Sequence, residues 1–239
     1  THREQELKNM GSSNHLKRLA MPRSWPLPRK TSIWVTRPTP GSHSLELCMP
    51  INLVIRDVLG YAHSTREVRH ILHNGNALID GRICKDVRRG VGLMDVLTLG
   101  ENNYRCVLDH NGRLRYRTIS SDEAGWQVCR IESKSTIQGG KTQLNLHDGR
   151  NIIVEDATEY SSGSSLKLAL PSQDILEHIK FNEGVRCYLI GGAHVGDFAT
   201  MKSYDVKRSS MPNEAVFDDF GTTASNVFVV GTSTLPHTE

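Results

Sequence analysis

The sequence predicts an α+β protein, predominantly β, in which a basic extended N-terminal arm precedes a small helix pair, a small β domain and a terminal β-barrel. Three observations carry that prediction. A helix-period run over 65–73 stops at Asn74-Gly75. Hairpin punctuation recurs at close spacing from Tyr104 to Val154. Seven basic residues and no acid lie between Leu7 and Leu45.

Length and composition divide the chain. Its 239 residues are 37% hydrophobic, 23% charged and 6% aromatic, more polar than a compact single-domain enzyme of that size. Two or three small domains are expected, with divisions at 1–44, 45–100, 101–172 and 173–239. The net charge of +3 hides an asymmetry: residues 1–120 carry 19 Lys+Arg against 10 Asp+Glu, and the remainder 10 against 16. A basic half of this kind suits a polyanion, and nucleic acid is favoured over a membrane because no long apolar or amphipathic segment accompanies the charge. Five scattered cysteines without a Cys-x-x-Cys pair read as idle thiols of a reducing compartment. His70 and His73 lack the company of a metal site, so neither metal nor cofactor is expected.

The arm comes first in order. Met10 reads as a start, with residues 1–9 an upstream remnant. In Met21-Pro22-Arg23-Ser24-Trp25-Pro26-Leu27-Pro28-Arg29-Lys30 three prolines forbid a regular helix and favour extended backbone. Trp25 among arginines suits stacking on an unpaired base; the alternative is that it fills an apolar gap in its own protein. The arm is expected to order only on binding.

The helix pair follows. Ile51 to Leu59 is an apolar helix ended by Gly60, and Thr65 is the expected cap of a second helix. Val68, Ile71 and Leu72 share one face of that helix, leaving Arg66, Arg69, His70 and His73 to the others. Asp80-Gly81 then turns a hairpin of Ala77 to Ile79. These residues (Arg56, Leu59, Gly60, Thr65, Arg66, Glu67, His70, Asn74, Gly75, Asp80, Gly81) resemble the RNA-binding module shared by bacterial-type ribosomal protein S-four, some tRNA synthetases and pseudouridine synthases. Asp80 stands where many members have Asn, which removes a donor from that turn.

Five alternating strands are expected at Tyr104–Leu108, Leu114–Ile119, Gln127–Ile131, Thr142–Leu146 and Asn151–Val154, separated by Asn-Gly, Ala-Gly, Gly-Gly and Asp-Gly turns. Farther on, Gly184, Val185, Gly191, Gly192, His194 and Gly196 suit a strand bent into a small barrel, and they resemble the KOW motif. A phosphate-loop reading of these glycines is weaker, since no Lys-Ser/Thr pair and no helix follow. Asn226 to Gly231 is the expected closing strand.

The whole order of parts, from His15 to Thr232, is similar to the small-subunit ribosomal protein family of the archaeal and eukaryotic S-four-E type. His15-Leu16-Lys17-Arg18-Leu19-Ala20, Pro22 to Pro26, Arg29-Lys30, Leu53 to Tyr61 and Val91 to Val96 carry the likeness, which looks more archaeal than eukaryotic. The resemblance implies a structural constituent of the small ribosomal subunit, located on cytoplasmic ribosomes, with ribosomal RNA and neighbouring ribosomal proteins as partners and no small-molecule substrate. It implies RNA contacts from Lys17, Arg18, Arg23, Trp25, Arg29, Lys30 and Arg37 of the arm. From the module it implies Arg56, Thr65, Arg66, Arg69, His70, Asn74, Arg82, Lys85, Arg88 and Arg89.

Two other readings stay open. A transcription or stress-response factor acting off the ribosome could use the same parts. An RNA-modifying enzyme is the other, but His194 and Asp197 have no Ser or Cys nucleophile placed near them, and the two β domains leave no room for a large catalytic fold.

Overall fold

The structure, a computed structural model, describes residues 15–231; residues 1–9, Met10 and Thr232 lie outside the described residues. Within them the protein is mostly β with few helices. Among the described residues no helix is long and apolar enough to cross a membrane.

From His15 the arm is folded back onto the protein. β1 (Leu16–Lys17) pairs antiparallel with β2 (Trp34–Val35). Between them the proline-broken segment sinks Met21 and Trp25 into the main core, which Val35 also joins. For residues 15–44 the expectation of an arm ordered only by its ligand is therefore corrected. Three apolar anchors supply the burial that a purely charged segment lacks.

β3 (Cys48–Pro50) leads into the first helix, α1 (Ile51–Leu53), which widens into a π-turn over Val54–Val58. Its ladder there is i to i+5, with Leu59 N donating to Val54 O at 2.9 Å. Ile51, Leu53, Val54 and Ile55 are fully buried. α2 (Thr65–His73) is capped one residue before the expected cap. Ser64 accepts from Glu67 N, and the Glu67 carboxylate accepts from His63 N and the Ser64 hydroxyl, both at 2.8 Å. Thr65 is thus the first helical residue, and its hydroxyl is left to accept from Arg56 and Asn52. Val68 and Leu72 are buried, and Asn74-Gly75 ends the helix as expected.

The hairpin of β4 (Ala77–Ile79) and β5 (Arg82–Ile83) has positive φ at both turn residues, 51° at Asp80 and 76° at Gly81. That is the backbone of a two-residue turn matched to strand twist. β6 (Gly90–Gly92) pairs with β3. β7 (Val96–Leu99), β8 (Asn102–Leu108) and β9 (Leu114–Ile119) then complete a five-stranded sheet in the order β5-β4-β7-β8-β9. The expected division after residue 100 falls inside this sheet.

After a short helix, α3 (Ser121–Ala124), the 11-residue β10 (Trp126–Thr136) enters a second five-stranded sheet. It pairs with β13 (Ser165–Ala169) through Trp126–Arg130 and with β11 (Thr142–Leu146) through Ile131–Thr136. β12 (Asn151–Val154) and β14 (Ile175–Ile179) form the edges. β14 therefore joins this sheet, past the expected division at 172.

The C-terminal part holds two three-stranded sheets. One is β16 (Phe198–Thr200), β15 (Arg186–Leu189) and β20 (Val227–Val229); the other is β17 (Ser203–Asp205), β18 (Glu214–Val216) and β19 (Gly221–Thr223). Their own core contains Leu189, Met201, Phe217 and Val229. This part is fixed to β8 at two places. The Tyr188 hydroxyl accepts from Leu108 N and donates to Leu108 O, both at 2.8 Å. A Cβ at Gly196 would lie 2.8 Å from the Asp109 carbonyl carbon, so the loop between β15 and β16 approaches the β8–β9 turn as only glycine allows.

Candidate nucleic-acid interface

The basic residues form three groups, each positioned by local structure. On the arm, Arg23 and Arg29 line an open concavity of about 620 Å³ with Arg113 and Asn111. Arg29 is half-buried and donates to Leu19 O at 2.9 Å, whereas Arg23, Lys17 and Lys30 are exposed. On α2, Arg66, Arg69 and His70 are exposed on the faces opposite Val68 and Leu72, with the Asn74 amide 3.2 Å from His70 Nε2. Around β5, Arg82, Lys85 and Arg89 line a second concavity of about 600 Å³ whose floor holds Asp80, Asp95 and Asp148. Among the described residues Arg23, Lys30, Arg66, Arg69, Arg82 and Lys85 have no carboxylate at ion-pair distance. Unpaired cations on a folded surface are the groups free to replace counterions around a phosphate backbone.

Other residues expected at the interface also make bonds within the protein. Arg18 is buried; its Nε donates to Pro28 O at 2.6 Å and its Nη1 to the Ser32 hydroxyl at 3.2 Å, closing the arm on itself. Trp25 is only 2% exposed, and its indole N–H donates to Cys48 O at 2.8 Å. Its face is therefore not offered to a base, and the gap-filling alternative is the one observed. Arg56 forks onto Asp57 at 3.0 and 2.8 Å and reaches the Thr65 hydroxyl at 3.2 Å. The hydrogen bonds to Asp57 hold the Arg56 guanidinium above its ordinary pKa. Arg88 is half-buried and donates to Arg37 O at 3.0 Å, tying the arm to the module. Arg89 adds a weaker reach to Ser42 at 3.4 Å.

Asp80 was expected to mark a missing donor at the hairpin turn. Instead it is buried, accepts from Val96 N at 2.9 Å, and pairs with Arg150 of the β11–β12 turn region. Arg150 also pairs with Asp148 at 3.1 Å. Alongside, Asp95 accepts from Gly92 N at 2.8 Å, from Gln127 at 3.2 Å and from His43 at 2.9 Å. Burial pulls the His43 imidazole down, but the charge and hydrogen bond of Asp95 outweigh it and hold the group above 6.5. Burial lowers His147 to about 4; this ring accepts from Arg130 N and edges against Phe228 at 5.1 Å. One polar network thus ties together the arm, the first sheet and the second sheet, and its His147 ring packs against Phe228 of β20. Sequence reading missed it because its members are spread from 43 to 228.

Cys129, His147 and Asp148 place their ligand atoms within 4.8 Å of one another. All three are already engaged: the thiol donates to Asp148, His147 Nδ1 accepts a backbone N–H, and Asp148 holds Arg150. They fit a satisfied network better than a metal site. All five cysteines are buried free thiols.

What the fold and surface define is a β-rich scaffold carrying several cationic patches, with the buried carboxylates Asp80, Asp95 and Asp148 committed to internal bonds. Residues 10–46 match the RS4NT (NUC023) domain, and residues 100–175 match Ribosomal family S4e. The small ribosomal subunit protein eS4 of Methanothermobacter thermautotrophicus is 41% identical over 229 residues, covering 93% of this chain and 94% of that one. The eS4 protein of Methanocaldococcus jannaschii is 40% identical over 235 residues, covering 92% and 95%. A crystal structure of 30S ribosomal protein S4e from Thermoplasma acidophilum superposes with a TM-score of 0.71 at 30% identity, covering 78% of this chain and 96% of its own. The chain belongs to the ribosomal S4e family.

Proposed function

We propose that this protein is a structural, non-catalytic constituent of the small ribosomal subunit that binds folded ribosomal RNA on cytoplasmic ribosomes and touches neighbouring ribosomal proteins. The observation that carries this reading is family membership over nearly the whole chain, with relatives named small ribosomal subunit proteins at about two-fifths identity. The unpaired cations of the arm, α2 and β5 support it. A-form RNA hides its base edges in a deep groove, so such cations act on phosphates and 2′-hydroxyls and read shape. The helix-pair reading of residues 45–100 is supported by α2 with its exposed arginines beside the Asp80-Gly81 hairpin. The KOW reading of residues 184–196 is supported by the close approach of Gly196 to the Asp109 backbone.

The test is binding of the purified chain to small-subunit ribosomal RNA across a salt series. Affinity should fall steeply with salt, the logarithmic slope growing by about 0.7 to 0.9 for each phosphate neutralised. A flat dependence would reject phosphate binding by these patches.

A further inference from the structure

The β1–β2 ribbon carries an indole that folding does not use. Leu16 stands opposite Val35 and Lys17 opposite Trp34. Alternation sends the first pair inward, where Val35 is buried, and leaves Lys17 and Trp34 outside. Trp34 is 50% exposed. The other two tryptophans are more covered: Trp25 is in the core, and Trp126 is half-buried with two cations over its ring, Arg105 at 4.1 Å and Lys167 at 4.3 Å.

Trp34 is also held in place. The Lys17 ammonium sits 4.0 Å from the ring centroid, and the His15 ring meets the indole edge-on at 4.9 Å and 87°. Beside it in the chain Ile33 is left 67% exposed. A fixed, half-bare aromatic with a cation against it is the arrangement that stacks an unpaired base while the cation meets the adjoining phosphate. The surrounding charge selects the ligand: the segment from Leu7 to Leu45 has seven basic residues and no acid, which repels the cationic peptides that also seek aromatic faces.

We infer that Trp34, oriented by Lys17 and His15, is a stacking platform for an unpaired RNA base. This inference rests on the RNA-binding reading above and adds to it a site for single-stranded RNA. Stacking on one aromatic side chain corresponds to roughly 5- to 150-fold in affinity.

The experiment titrates the full chain with a short oligouridine and, separately, with a blunt RNA duplex, following tryptophan emission and affinity. Oligouridine should quench emission, the duplex should not, and Trp34→Phe should abolish the quenching while keeping most of the affinity. Trp34→Ala should weaken oligouridine binding about 10-fold and leave duplex binding unchanged. Wild-type oligouridine affinity in Trp34→Ala would overturn the platform while leaving the RNA-binding reading standing. Equal loss on both RNAs would also overturn it, making Trp34 a support for the ribbon. Failure of the unaltered chain to bind either RNA would overturn the underlying reading as well.

Discussion

Replacing Arg150 by Met removes the cation between two buried carboxylates while keeping most of the side-chain volume. Arg150 is 17% exposed, Asp80 10% and Asp148 1%, so neither acid can turn to water without the sheets parting. Removing one partner of a buried pair costs about 3–5 kcal/mol, because the other charge is stranded. Protonation limits that cost. Burial, followed by the charge of Asp95, already pushes Asp80 up to about 7 against the pull of Arg150. An acid whose folded pKa lies above its ordinary 3.8 disfavours the fold increasingly as pH rises through that window. Without Arg150 the folded pKa climbs further, so the variant's deficit through Asp80 should be small at pH 5 and approach about 1.4 kcal/mol at pH 8, the limit set by one pH unit above the parent's folded pKa. In a chain of this size that is a melting shift of about 3–6 °C. Thermal unfolding of both proteins at the two pH values measures it. The double variant Asp80→Asn with Arg150→Met should recover part of the loss, since the stranded charge is gone. A variant that melts with the parent at pH 8 would refute the claim that this network joins the two sheets.

Other perturbations test neighbouring parts of the molecule. Trp25→Ala should cost about 3–5 kcal/mol in denaturant unfolding, through the cavity it leaves and the loss of its bond to Cys48 O; unchanged stability would show that the arm is not anchored by it. Arg66→Glu with Arg69→Glu should weaken binding to small-subunit RNA and flatten the salt slope by about one for each phosphate no longer neutralised, whereas a parental slope would remove α2 from the interface. His43 is held above 6.5 by Asp95, so its contribution is fully present below pH 6.5 and is lost as pH rises through its folded pKa. His43→Gln should therefore flatten the fall in melting temperature above pH 6.5, and an unaltered pH profile would assign that fall to other groups.

Much of the fold was legible because its signals are local. Asn74-Gly75 ended α2, Asp80-Gly81 turned the hairpin, and the strands 114–119, 142–146 and 151–154 fell where alternation between turn residues placed them. What was not legible depends on partners far away in the chain. β8 joins β7 rather than opening a new domain because it is buried on both faces, with Arg105 opposite Val96 and Tyr104 opposite Leu97. Ser64 rather than Thr65 caps α2, a choice between adjacent hydroxyls that composition cannot make. In the candidate interface, Arg66, Arg69, Arg82 and Lys85 were readable as exposed cations, being off the apolar face or next to a turn. Arg18 and Trp25 were misread because proline-broken backbone has no period by which inward and outward residues can be told apart. Trp34 went unread because the strands that pair it with Lys17 are two residues each, too short to show an alternation.

The most direct measurement is the stoichiometry of this chain, at native expression, on small ribosomal subunits sedimented through salt high enough to strip loosely bound proteins. An integral constituent of the subunit should be retained at one copy per particle. A free or substoichiometric pool would contradict that role and favour a factor that acts off the ribosome.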